Sequence, residues 1–166
     1  RKLKAVVIFG LCLLGSCGHP SVSPREAVFA TQVPFRLLPG LHLEDPQVKK
    51  YGDGYYSIVM GLENESGDYI WFPNSRYGTA SLIYLESEGK WVELKDRAIY
   101  LSDSEEVLAP KSKGEWWFTI VSVDPILPPD IQPPVTVRVV VIGRIYRDGK
   151  PTDEKVGTYL DVTLPP

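Results

Sequence analysis

The chain predicts an all-β body, an antiparallel sandwich of about eight strands, preceded by an N-terminal segment of different character. Three observations carry this expectation. From Phe35 onward apolar and polar residues alternate in short runs, the period of half-buried strands. Turn signals separate the runs at intervals of roughly 8–15 residues, and no long helical pattern supplies the crossovers that parallel sheets need. The chain also holds 15 prolines against one methionine, and Pro125, Pro128, Pro129, Pro133 and Pro134 crowd between strands, where a missing N–H interrupts no ladder.

Size and composition bound the rest. At 166 residues, 43% apolar and 23% charged, the chain can bury one core and is not disordered. Its net charge of −3 argues against nucleic acid as a partner, since such proteins carry a basic excess.

Arg1, Lys2 and Lys4 give the N-terminus three positive charges, and residues 5–14 follow with no charge at all. A helix needs about 20 apolar residues to span a bilayer, so this run is short for a permanent anchor and reads as a signal peptide. Leu14-Gly15-Ser16-Cys17 resembles the lipobox of bacterial lipoproteins, in which a leucine precedes an invariant cysteine by three residues and small residues stand between. The resemblance implies cleavage between Ser16 and Cys17 and lipidation of Cys17, with the acyl chains as palmitate-type anchors. Cys12 would leave with the signal peptide. Removing three of the 18 basic residues leaves 15 against 21 acidic ones, a body of −6 that anionic headgroups repel, so lipid and not charge must hold it to a membrane. The expected organisation is therefore a signal peptide over 1–16, the lipidated cysteine and a proline-punctuated tether over 17–34, and a β-domain over 35–166. Ser23-Pro24-Arg25-Glu26 has a capping-box pattern, so a short helix over 24–31 is one reading of the tether; Val28 and Phe29 opening a strand is the other.

Within the domain, residues 35–44 read as a strand interrupted at Pro39-Gly40. In 55–63, Tyr56, Ile58, Met60 and Leu62 share one face. The cluster 64–68 turns the chain into 69–72. Residues 79–86 form the next strand, turned by Ser87-Glu88-Gly89-Lys90 into 91–94, and 99–101 extend that region. Ser102 begins one capped turn at most. In 115–123, Trp116, Phe118 and Ile120 form the apolar face and are expected in the core, which leaves Trp117 on the other. Residues 135–146 set Val135, Val137, Val139, Val141 and Ile145 on one face, Asp148-Gly149 is hairpin chemistry, and 158–164 face Leu160, Val162 and Leu164 inward. Leu108-Ala109-Pro110, a polar stretch and then an aromatic strand resemble the late strands of bacterial extracytoplasmic immunoglobulin-like modules. That family usually continues Pro-Gly where Pro110-Lys111 stands here. The resemblance implies an immunoglobulin-like β-sandwich in preference to an up-and-down barrel.

The chemical inventory is short. Of the two histidines, His19 lies in the tether and His42, between Leu41 and Leu43, points to a surface or edge. No Gly-x-Ser-x-Gly presents a nucleophile, no zinc spacing occurs, and no glycine-rich phosphate loop is present. Asp103-Ser104-Glu105-Glu106 gathers carboxylates without a calcium-loop pattern. Asn64-Glu65-Ser66 matches a glycosylation acceptor and reads as a turn. Aromatic residues are plentiful, with four tryptophans and nine tyrosines, and pairs such as Tyr55-Tyr56, Tyr69 with Trp71, and Trp116-Trp117 suggest either core and cross-strand packing or an exposed platform. Trp117 is the candidate binding residue. The expectation is a non-enzymatic envelope lipoprotein facing outside the cytoplasm, without cofactor or metal, that binds an envelope protein or a glycan. A structural or assembly factor of an envelope complex, docking through a sheet edge, is the alternative, and a carboxylate-based hydrolase a more distant one.

Overall fold

The computed structural model describes residues 23–73, 80–95, 97–100, 105–112 and 117–166, without the side chains of Pro24, Arg25 and Trp117. The expectations for Ser16, Cys17 and Trp116 fall outside the described residues. In chain order the elements are α1 (Pro24–Gln32), β1 (Arg36–Leu37), β2 (Leu41–Gly52), β3 (Tyr55–Asn64), β4 (Tyr69–Phe72), β5 (Ser81–Ser87), β6 (Lys90–Glu93), β7 (Ala98–Tyr100), β8 (Glu106–Leu108), β9 (Trp117–Ser122), β10 (Val135–Arg147) and β11 (Lys150–Leu164).

The strands form two sheets and the all-β sandwich that the alternation predicts. One runs β2-β3-β9-β7. The other runs β1-β11-β10 and then forks, because β10 pairs with β5 over Val137–Val141 and with β4 over Arg144–Tyr146, while β6 extends β5 and β8 extends β4. All described pairings are antiparallel except β1 against β11. Two-residue loops close the hairpins. Asp148 and Gly149 both have positive φ (53° and 76°), as do Glu88 and Gly89 (51° and 75°), so both turns twist with their strands. The β2–β3 hairpin turns at Asp53-Gly54.

The expected inward faces are the core. Tyr56, Ile58, Met60 and Leu62 pack against Phe118 and Ile120 of the same sheet and against Val137, Val139, Val141 and Ile145 of the other, each at most 1% exposed. Val162 and Leu164 join them from β11. At these facing positions, apolar area leaves water from both sheets at once. Gly143 permits the fork. A Cβ there would stand 2.6 Å from Ile70 Cγ2 and 2.9 Å from the Trp71 carbonyl oxygen, where β4 begins to pair alongside β10.

Strand β2 runs on through Gly52, where the expected strand ended at Glu44. Its second half is polar and carries Pro46 beside a bulge with Asp45 at φ 49°, which suits an outermost strand that needs no second partner. Lys111 takes φ 58°, a left-handed conformation that glycine adopts more readily, and its Nζ donates to the Glu65 carbonyl.

The tether requires a correction. Residues 23–34 belong to the folded body, because α1 packs on the outer face of the forked sheet. Ser23 caps it through Oγ, which accepts from the Glu26 N–H at 3.2 Å, and Pro24 opens its first turn. Phe29 is fully buried among Tyr84, Trp91 and Tyr159, with Val33, Phe35, Val140 and Ile142 in the same cluster. Phe35 in turn lies over Gly157, where a Cβ would come within 2.9 Å of its ring.

Candidate functional site

Register arranges the outer face of the forked sheet into rows that run across its strands. One row reads Glu93 (β6), Tyr84 (β5), Arg138 (β10) and Asp161 (β11), each directly opposite the next. Three steps of the pleat further along β10, a second row reads Trp71 (β4), Arg144 (β10) and Lys155 (β11). Helix α1 lies against the first row, and the end of α1 together with Pro34 borders the ground between the two.

The first row is held by Arg138, whose side chain is only 4% exposed. Its Nε and Nη2 donate to both carboxylate oxygens of Asp161 at 2.7 and 2.9 Å. Its guanidinium carbon lies 3.9 Å from the ring centroid of Tyr159, 4.1 Å from Trp91 and 4.7 Å from Phe29. Nη1 has no hydrogen-bond partner and faces this aromatic box, where ring quadrupoles replace part of the lost hydration. The Tyr159 hydroxyl stands 3.5 Å from Glu26 on α1, and burial above all holds its proton more tightly than usual.

Between the rows lies an open cleft of about 560 Å³. Leu82 and Ile142 contribute its apolar lining, Trp71 and Tyr84 its aromatic surfaces, and Pro34 and Pro73 further ring faces. Trp71 is oriented by a bond from its Nε1 to Glu105 at 3.2 Å. The Tyr84 hydroxyl is pushed up to about 12, by burial first and by the Glu93 charge second, so it remains a donor at any physiological pH. Glu93 stands toward one end, Arg144 and Lys155 toward the other. Arg144 has one distant ion pair, 3.9 Å to the fully exposed Asp153. Such a surface holds a ligand by ring contact and by charge at two points.

The aromatic pairs singled out in the sequence do not converge on one platform. Tyr56 is core and donates its hydroxyl to the Pro165 carbonyl at 2.8 Å, Tyr51 and Tyr55 pack together at a hairpin end, and Tyr69 lies half-exposed beyond the cleft. Among the described side chains of these pairs, only Trp71 lines the cleft. Trp117 is the first residue of β9, opposite Gly61 in the other sheet, so it is not part of this face. His42 is exposed on β2, 3.5 Å from Glu65. Asn64 is fully buried and structural. Its Nδ2 donates to the Asp68 and Ala109 carbonyls, and its Oδ1 accepts from the Ser66 N–H and hydroxyl. Among the described residues no three His, Cys, Asp or Glu side chains gather as metal ligands.

Tyr84, Arg138, Arg144, Lys155 and Phe29 escaped the sequence reading. A signal for the covered face existed: Val139-Val140-Val141-Ile142 is apolar at every position, which marks a strand buried on both sides. No protein-family model matches the chain, and no curated protein matches it in sequence.

Proposed function

We propose that the chain is a bacterial envelope lipoprotein, anchored by lipid on Cys17 and facing outside the cytoplasm, whose sandwich is a non-catalytic binding module. One structural observation carries the binding part: the 560 Å³ cleft beside α1 joins two aromatic surfaces to charges of both signs. The anchoring part rests on the basic N-terminus, the short apolar run and Leu14-Gly15-Ser16-Cys17.

Two measurements test the reading. Mass spectrometry of the N-terminal peptide from membrane-extracted protein is expected to show Cys17 as the first residue with added lipid mass; an unmodified Cys17 there refutes the anchor. Screening a fragment mixture against Trp71 fluorescence is expected to find ligands that Leu82→Trp, which fills the cleft, no longer binds. If every fragment binds this variant and the native chain alike, the cleft is not the binding surface.

A further inference from the structure

We propose that the cleft takes an acidic saccharide, a short oligosaccharide in which at least one sugar carries a carboxylate; this deepens the binding-module reading and rests on it. The first support is charge. The whole sequence carries a net charge of −3, yet among the described residues the cleft lining includes two cations against one carboxylate. Arg144 and Lys155 are cross-strand neighbours on one face, so both reach the same anionic group, and Arg144 offers the planar fork that suits a carboxylate. Asp153, the carboxylate paired with Arg144, is fully exposed and 3.9 Å away, a loose contact that a better-placed carboxylate can displace.

The second support is the kind of apolar surface. Trp71 and the exposed Pro34 offer ring surface on which the C–H face of a sugar ring can lie, and the edges of the buried Tyr84 and Pro73 complete that wall of the cleft. Gln32, Glu93 and the protonated Tyr84 hydroxyl add acceptors and donors for sugar hydroxyls. The two rows are six residues apart along β10, roughly 20 Å at about 3.4 Å per residue, so the charged ends suit an extended ligand of several units. The third support weighs against a peptide. An extended peptide gains its affinity by adding to a free strand edge, and β10, beneath the cleft, is paired on both sides, with β11 on one and with β4 and β5 on the other.

Isothermal titration of the detergent-solubilised full chain tests this with three probes: a hyaluronan tetrasaccharide, in which glucuronate alternates with N-acetylglucosamine; neutral chitotetraose; and tetra-alanine with a free C-terminal carboxylate. The carboxylated tetrasaccharide is expected to bind saturably, at least tenfold tighter than chitotetraose. Arg144→Gln with Lys155→Ala, the first at a half-buried and the second at an exposed position, is expected to remove at least that tenfold while leaving the melting temperature unchanged. Equal affinity for the two sugars, or an unchanged affinity in the double variant, overturns the assignment of the cations to a carboxylate. Preference for tetra-alanine overturns the saccharide and leaves a binding module standing. Silence from all three probes also overturns the saccharide, and the fragment screen above then decides the wider reading by itself.

Discussion

Arg138 shows how a charge is accommodated beneath a helix. Its partner Asp161 is 44% exposed, so the pair is not sealed from water, and the arginine's cost of burial is met by two short hydrogen bonds and three rings. Buried ion pairs are commonly replaceable by apolar residues of similar shape, whereas truncation leaves a void. Arg138→Met is therefore expected to cost under about 2 kcal/mol, because Asp161 turns to solvent, and Arg138→Ala about 3–5 kcal/mol. Urea denaturation decides; equal losses would mean that charge and not packing holds the box. Tyr84 yields a pH expectation. Its phenol titrates near 10 in the unfolded chain and at about 12 in the folded one. Below pH ~10 both states keep the proton and stability is flat in this respect. As pH rises from ~10 to about 12 the unfolded state releases its proton first, so the native state loses stability. Tyr84→Phe is expected to shrink this alkaline loss without abolishing it, since Tyr56 and Tyr159 are also raised. Parallel stability curves for the two proteins between pH 9 and 12 would remove Tyr84 from the account.

At the scale of elements, α1 is the piece whose role changed between sequence and structure. Phe29 is fully buried and Val28, its neighbour, is 44% exposed. Phe29→Ala is thus expected to cost about 3–5 kcal/mol and Val28→Ala under about 0.5 kcal/mol, and a chain starting at Phe35 to melt well below one starting at Ser23. Identical melts for the two lengths would show that the sheet closes without its helix. The strands were the legible part because alternation is a local signal: the inward faces of β3, β10 and β11 follow from parity alone. The extension of β2 was not legible, since an edge strand with a bulge and Pro46 carries no buried face to alternate. The cleft was least legible of all. It arises where β4 and β5 part along β10, and it sets Trp71, Tyr84 and Lys155 side by side from segments separated by as many as 84 positions, a placement that only the pairing register dictates. The one hint, apolar residues on both faces of β10, marks that the outer face is covered and says nothing of what covers it.

For the whole molecule, the packing of α1 shortens the proposed leash. The Ser23 cap already belongs to the folded body, and only five residues separate it from Cys17 in sequence. Six residue steps reach at most about 20 Å when fully extended. A lipid on Cys17 would therefore hold the start of α1, and with it the face that carries the cleft, close to the membrane surface, despite an acidic body that gains nothing from anionic headgroups. This distance is measurable. The proposed maturation would alkylate Cys17 and remove Cys12, so Val28→Cys would then supply the sole free thiol, on the exposed side of α1. A dye placed there is expected to transfer energy efficiently to acceptors in the headgroup layer of reconstituted vesicles. Inserting about 20 Gly/Ser residues after Gly18 should lower the transfer, since a flexible spacer of that length spans roughly 25 Å on average and swings freely. Cys17→Ser, with no lipid, should abolish it and move the protein to the soluble fraction. Transfer that ignores the inserted spacer would place α1 against the bilayer by some contact of its own. A Cys17→Ser protein still bound to vesicles would show that the lipid is not what holds it.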